Sequence, residues 1–172
     1  MAKKNSPSKD NIGKALGLFL EAFRPYVVSV LSKEYGEEAW EEKFVENLLP
    51  DQQRNWDRGI SQGVLPEKLI DYGNLRSFVF KNKELLRVDF GKNVNKLQTW
   101  LEEIAEVRNK THHYAGELDD LTVERTYSNM ILIARAINMK ELEDELSLLQ
   151  KPIEVSEEKP KKANTPATPS LA

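Results

Sequence analysis

Between Asn11 and Gln150 apolar residues recur at spacings of three and four, and no stretch alternates with a period of two, so the pattern predicts an all-helical fold. Ile12, Leu16, Phe19, Phe23, Val27, Val30 and Leu31 line one face of a long first helix, with Asp10 placed to cap it and Pro25 placed to kink it. A shorter helix is expected from Glu37 to Leu49, with Trp40, Phe44 and Leu48 in a row and Pro50 closing it. Pro66 and Glu67 mark another start, from which Leu69, Tyr72, Leu75 and Val79 lead on through Leu85, Leu86 and Phe90 to a break at Gly91.

The next helix is the most regular. Val94, Leu97, Leu101 and Ile104 form a stripe whose next step of four lands on Arg108, a guanidinium where a core residue is due. Past Gly116, either Asp120 or Thr122 can cap a helix running to about Asn138, apolar at Val123, Tyr127, Met130, Ile131, Ala134 and Ile137. A charged last helix, Lys140 to Gln150, carries Leu142, Leu146 and Leu149. Such short connections imply antiparallel neighbours in one bundle.

Composition narrows the chemistry. The chain has 172 residues, 40% hydrophobic and 31% charged, which suits one domain with a single core. It has no Cys, so disulfides, Cys-based zinc sites and Cys nucleophiles are excluded. With 25 Lys+Arg against 28 Asp+Glu, it is not basic throughout as a nucleic-acid coat would be. No export signal is legible and the uninterrupted apolar stretches fall short of the ~18 residues of a membrane span, so a soluble cytoplasmic protein with no membrane partner is expected. Residues 1–10 read as a flexible polar lead, 11–150 as the helical domain, and 151–172, with Pro interleaved among charged and small residues, as a disordered linker or tail.

Candidate chemistry concentrates in one string, Glu103-Ile-Ala-Glu-Val-Arg108-Asn109-Lys110-Thr111-His112-His113-Tyr114, which holds both histidines of the chain. A helix C-terminus favours a cationic imidazole and a neighbouring arginine disfavours it, so titration near neutrality is within reach, and such a pair can bind a phosphate and move a proton. The plainer reading is that Arg and His at a helix end complement its dipole while the Arg stem covers the core. A metal site is poorly supported, because His112 and His113 point in different directions and further ligands would have to come from acids such as Glu117 or Asp119. Trp40, Trp56 and Trp100 sit at helical spacing to apolar neighbours and read as core or interface anchors rather than base-stacking platforms.

These residues resemble the signature of the HEPN domains, small helical bundles in which Arg, usually a polar residue, three further positions and His close a core-patterned helix. Here that is Arg108-Asn109-Lys110-Thr111-His112-His113. The resemblance extends from about Asn11 to Ala136. The first helix with Ala15-Leu-Gly-Leu-Phe-Leu-Glu-Ala-Phe-Arg-Pro-Tyr-Val, then Glu34-Tyr-Gly, Trp40 and the block Leu69-Ile-Asp-Tyr-Gly-Asn-Leu-Arg-Ser-Phe, is similar to a particular variety. That variety stands at the front of prokaryotic defence-associated ATPases and helicases, and a related one accompanies a PIN-type nuclease in a eukaryotic RNA surveillance protein. It often has an apolar or small pair before the His, whereas Thr111-His112 stands here, which makes His112 an alternative to His113.

The resemblance implies an all-α, antiparallel HEPN-like bundle that forms a two-fold homodimer through the Arg108–His113 helix and cleaves RNA without metal or other cofactor. His113 would move the proton of a ribose 2'-hydroxyl or of the leaving oxygen, Arg108 would hold the scissile phosphate, and Asn109 would orient these groups. Other members serve as non-catalytic dimerisation or RNA-binding modules tethered to a C-terminal ATPase or helicase, the second reading of this chain. Charge is unevenly distributed: six basic residues face two acidic ones from Arg76 to Lys96, while two face eight from Glu34 to Asp57. The basic stretch, with Lys92 and Lys96, and Lys110 beside the motif are the expected RNA contacts, although such runs are also what solvated faces look like.

Overall fold

Polar and apolar positions sort into helices over almost all of residues 7–113 and 118–151, the residues that this computed structural model describes, and no strand occurs among them. Helix α1 spans Pro7–Tyr35 and runs unbroken through Pro25, which lies on its exposed side and forgoes only the bond to the Glu21 carbonyl. Ile12, Ala15, Leu16, Phe19, Phe23, Val27 and Leu31 are buried along one face, while Val30 is half-buried. Asp10 lies inside the first turn instead of capping it, so the helix begins ahead of the Asn11 boundary. By length and composition α1 could cross a membrane, with an 18-residue window of mean hydropathy 1.3, a property the shorter uninterrupted runs conceal. Its apolar face packs instead into the core, against the helices that follow.

Two corrections concern the middle of the chain. The second helix, α2, is only Trp40–Glu46, because Gly36 at φ +97° turns the chain out of α1 and a turn occupies the next residues. Pro50 then opens a helix as much as it closes one. Helix α3, Pro50–Ser61, starts with Leu49 extended, Pro at its first position, and the Gln52 side chain accepting from the Leu49 N–H at 3.0 Å. Its buried positions are Trp56 and Gly59, while Ile60 is exposed; Leu69 packs where a Gly59 side chain would stand.

Instead of one helix from Leu65 to Phe90 there is a 3-10 turn, Pro66–Leu69, followed by α4, Tyr72–Lys81, and α5, Lys83–Phe90. Asp71 caps α4 by accepting from the Asn74 N–H at 2.8 Å. Asn82 makes the corner between α4 and α5: it is buried, and its amide donates to the Phe78 carbonyl at 2.8 Å. Gly91, at φ +54°, ends α5 where expected. Helix α6 is Val94–His113, α7 is Asp120–Ala136 and α8 is Lys140–Gln150.

The core forms where α1 meets α7 and α8, α7 meets α6, and α6 meets α4. Rings thread it: Phe19 and Phe23 lie 5.5 Å apart, and Phe44 packs on both Trp56 and Phe78 at 5.2 and 6.0 Å. Polar ties fix the ends. Tyr127 donates to the Ser8 carbonyl at 3.0 Å and Asn11 to that of Leu149 at 3.3 Å, holding the start of α1 against α7 and α8.

Candidate functional site

The stripe of α6 is buried as its spacing implies, at Val94, Leu97, Leu101 and Ile104, with Ala105 and Val107 beside them. Arg108 follows, half-buried, and its guanidinium has no hydrogen bond or ion pair among the described residues. Asn109 and Lys110 are exposed, and the Thr111 hydroxyl donates back to the Arg108 carbonyl at 2.8 Å, easing the last turn. The helical backbone continues through positions 112 and 113. Position 112 therefore lies one turn beyond Arg108 on the same face, and position 113 about 100° further round. The two histidine side chains lie outside the described residues, as do Tyr114 to Glu117.

Three neighbouring elements set where this end of α6 sits. Arg76 of α4 pairs with Glu102 at 3.3 Å, and the Arg108 charge reaches Tyr72 at the start of α4, so the two helices run antiparallel. On the other side the buried Asn129 amide of α7 donates to Glu103 at 2.7 Å. Asp119, rather than Asp120 or Thr122, caps α7, accepting from the Thr122 N–H at 2.7 Å and from its hydroxyl at 3.0 Å. Those two bonds, with smaller help from Lys110 and Lys9, hold its carboxyl below the usual value. Asp119 is thus occupied as a cap, and Lys9 pairs with Asp120 at 3.5 Å. The end of α6, the start of α7 and the start of α1 meet here.

Tyr72 is the neighbour that periodicity alone hides. Its ring stacks on Phe19, with centroids 6.4 Å apart, and its hydroxyl donates to the Leu16 carbonyl of α1 at 2.5 Å. Burial pushes this phenol well up, the Arg108 and Arg24 charges opposing, so it remains a neutral donor. Arg24 donates to the carbonyls of Ile70 and Lys68 at 2.8 and 3.2 Å, fixing the segment that leads into Tyr72. The site is therefore a half-buried cation over a rigid floor contributed by α1 and α4.

The arrangement offers a phosphate-sized anion a guanidinium that is unengaged among the described residues, flanked by an amide and an ammonium, at the end of the helix that carries both histidines. Comparison with protein families matches residues 14–138 to the Swt1-like HEPN description. The chain belongs to the Swt1-like HEPN family. No curated protein and no solved structure matches it. This HEPN family is associated with RNase activity, and HEPN domains typically bind RNA and dimerise.

The expected RNA contacts divide in space. Lys110 belongs to the Arg108 end of the HEPN bundle, whereas Lys92 and Lys96 sit at the other end of α6, Lys96 about 18 Å away by helical rise. Of the remaining basic stretch, Arg76 and Arg87 are paired with Glu102 and Glu84. Trp56 is buried and donates to Glu41 at 3.2 Å, and Trp40 and Trp100 pack half-buried on the core.

Proposed function

We propose that this HEPN domain is a metal-independent endoribonuclease that works as a two-fold dimer in phage defence or RNA control in the cytoplasm. Two copies of the α6 end supply a pair of Arg108 and a pair of His113, or of His112 in its stead. Arg108 holds the scissile phosphate and the charge that builds on it, Asn109 orients it, and the histidines take the proton of the 2'-hydroxyl and return one to the leaving oxygen. The bond formed is from O2' to phosphorus and the bond broken is from phosphorus to O5', leaving a 2',3'-cyclic phosphate and a 5'-hydroxyl. DNA, lacking the nucleophile, is not cut.

The observation that carries this reading is Arg108. Within a family associated with RNase activity, it stands where the α6 stripe calls for an apolar residue, without a carboxylate partner among the described residues.

The test is cleavage of single-stranded RNA in excess chelator by wild type, Arg108→Ala and His113→Ala. Loss of cutting in both variants is expected, with His112→Ala run alongside. Cutting that persists unchanged in both, or that appears only with added metal, overturns the mechanism. RNA binding and dimerisation with no cutting by wild type would instead identify a non-catalytic module of a larger ATPase or helicase.

A further inference from the structure

The corner between α4 and α5 carries an exposed aromatic ring bracketed by cations. Phe80, on the last turn of α4, is 58% exposed, although its neighbours Phe78 and Val79 are fully buried. Lys81 and Lys83 place their ammonium groups 5.8 and 5.7 Å from its ring centroid. Asn82 between them is buried and bonded to the Phe78 carbonyl, so the corner that presents the three side chains is held from inside.

The surroundings keep this corner positive. Glu84 is paired with Arg87 at 3.2 Å, and Asp89 accepts from the Tyr26 hydroxyl at 2.7 Å. Antiparallel packing of α4 on α6 puts the corner at the same end of the bundle as Lys92 and Lys96, which are exposed and have no ion pair or hydrogen bond among the described residues.

We infer that Phe80, Lys81 and Lys83 form a docking platform for single-stranded RNA, with a base stacked on the Phe80 ring and its flanking phosphates held by the two lysines. An apolar protein partner covering the ring would strip water from two ammonium groups without returning a counter-charge. A nucleotide supplies both needs, a π-face for the ring and an anion for each cation. Lys92 and Lys96 extend the phosphate track. This platform lies at the opposite end of α6 from Arg108, so it acts on how the strand is held rather than on the chemistry. The inference rests on the proposed RNA substrate for its choice of ligand, but not on cleavage.

The test measures binding of an unstructured oligouridylate of about 20 nucleotides, long enough for several contacts, protected by 2'-O-methylation so that no cutting intrudes. Phe80→Ala and Phe80→Leu are each expected to weaken binding by about 5- to 100-fold, while Phe80→Trp retains it. The double change Lys81→Gln with Lys83→Gln should flatten the slope of log affinity against log salt by about 1.4, the contribution of two single-strand phosphates. Binding by Phe80→Leu at the wild-type level, an unchanged salt slope, or no binding by wild type overturns the platform. So does a Phe80→Ala variant that alters sedimentation but binds RNA normally, which would make the ring a protein interface. Phe80-dependent binding without any cleavage of unprotected RNA would leave the platform standing and remove the nuclease; Arg108-dependent cleavage with Phe80-independent binding would do the reverse.

Discussion

The Arg108 charge acts across the α6–α4 seam on Tyr72, a guanidinium with no carboxylate partner among the described residues and a buried phenol that donates to the Leu16 carbonyl of α1. The two residues should separate activity from stability. Tyr72→Phe keeps the ring against Phe19 and removes one neutral hydrogen bond, a loss of about 0.5–1.5 kcal/mol in urea unfolding. Arg108→Ala removes no partner among the described residues and should shift stability by about 0.5 kcal/mol or less while abolishing RNA cleavage. A large destabilisation by Arg108→Ala would show that its stem is needed for packing.

Glu103 and Asn129 make the converse pair, a half-buried carboxylate bonded directly to a buried amide at 2.7 Å, just before the motif. Asn129→Ala leaves the half-buried Glu103 carboxylate short of a donor and should cost about 1–3 kcal/mol. Glu103→Gln preserves the shape and should cost less. A double-mutant cycle on Glu103→Ala and Asn129→Ala is expected to show coupling, because the second change removes no bond that the first has left intact.

Alkaline pH should loosen the end of the bundle that carries the motif. Burial raises the Tyr127 phenol to about 12, against about 10 in the unfolded chain. Between those values the unfolded state has released the proton and the folded state keeps it, so stability falls as pH rises. The contribution is fully present below about pH 10 and is lost on the way to 12. Tyr26 and Tyr72 are pushed up further by burial and act in the same direction. Unfolding free energy measured across this window should fall less steeply in Tyr127→Phe, which also forfeits the bond to the Ser8 carbonyl.

The long helices were legible because each buries a stripe: α1, α6, α7 and α8 follow their three- and four-residue spacings closely. Helix α3 was not, since a surface helix anchored by Trp56 alone has no stripe to read. The corner at Asn82 was hidden for a different reason. Its apolar neighbours keep helical spacing on both sides, and only the folded chain shows the Asn82 amide turned onto the Phe78 carbonyl. The cap of α7 was a choice among adjacent oxygens that local sequence does not rank. In the site, Arg108 announced itself as a charge in an apolar register, whereas Tyr72 fitted its own stripe so well that its phenol, meeting α1 across 56 positions of sequence, left no local trace. Phe80 lies next to Val79 of the stripe, and sequence spacing does not show that its ring is left exposed between two lysines.

If one active centre is built from two subunits, defects in different residues should complement. Arg108→Ala and His113→Ala homodimers each lack both copies of one group and should be inactive in RNA cleavage. Mixing them and allowing exchange produces heterodimers with one intact Arg108 and one intact His113 at the shared seam. A centre that needs only one of each would regain part of the wild-type rate, at most about half of the molecules being heterodimers if exchange is random. A centre contained within one subunit would regain nothing, because neither chain carries both groups. Cross-linking the parental dimers before mixing blocks exchange and should abolish the recovery. The same pairing with His112→Ala decides between the histidines: the position that complements Arg108→Ala, and is inactive by itself, is the one that moves the proton.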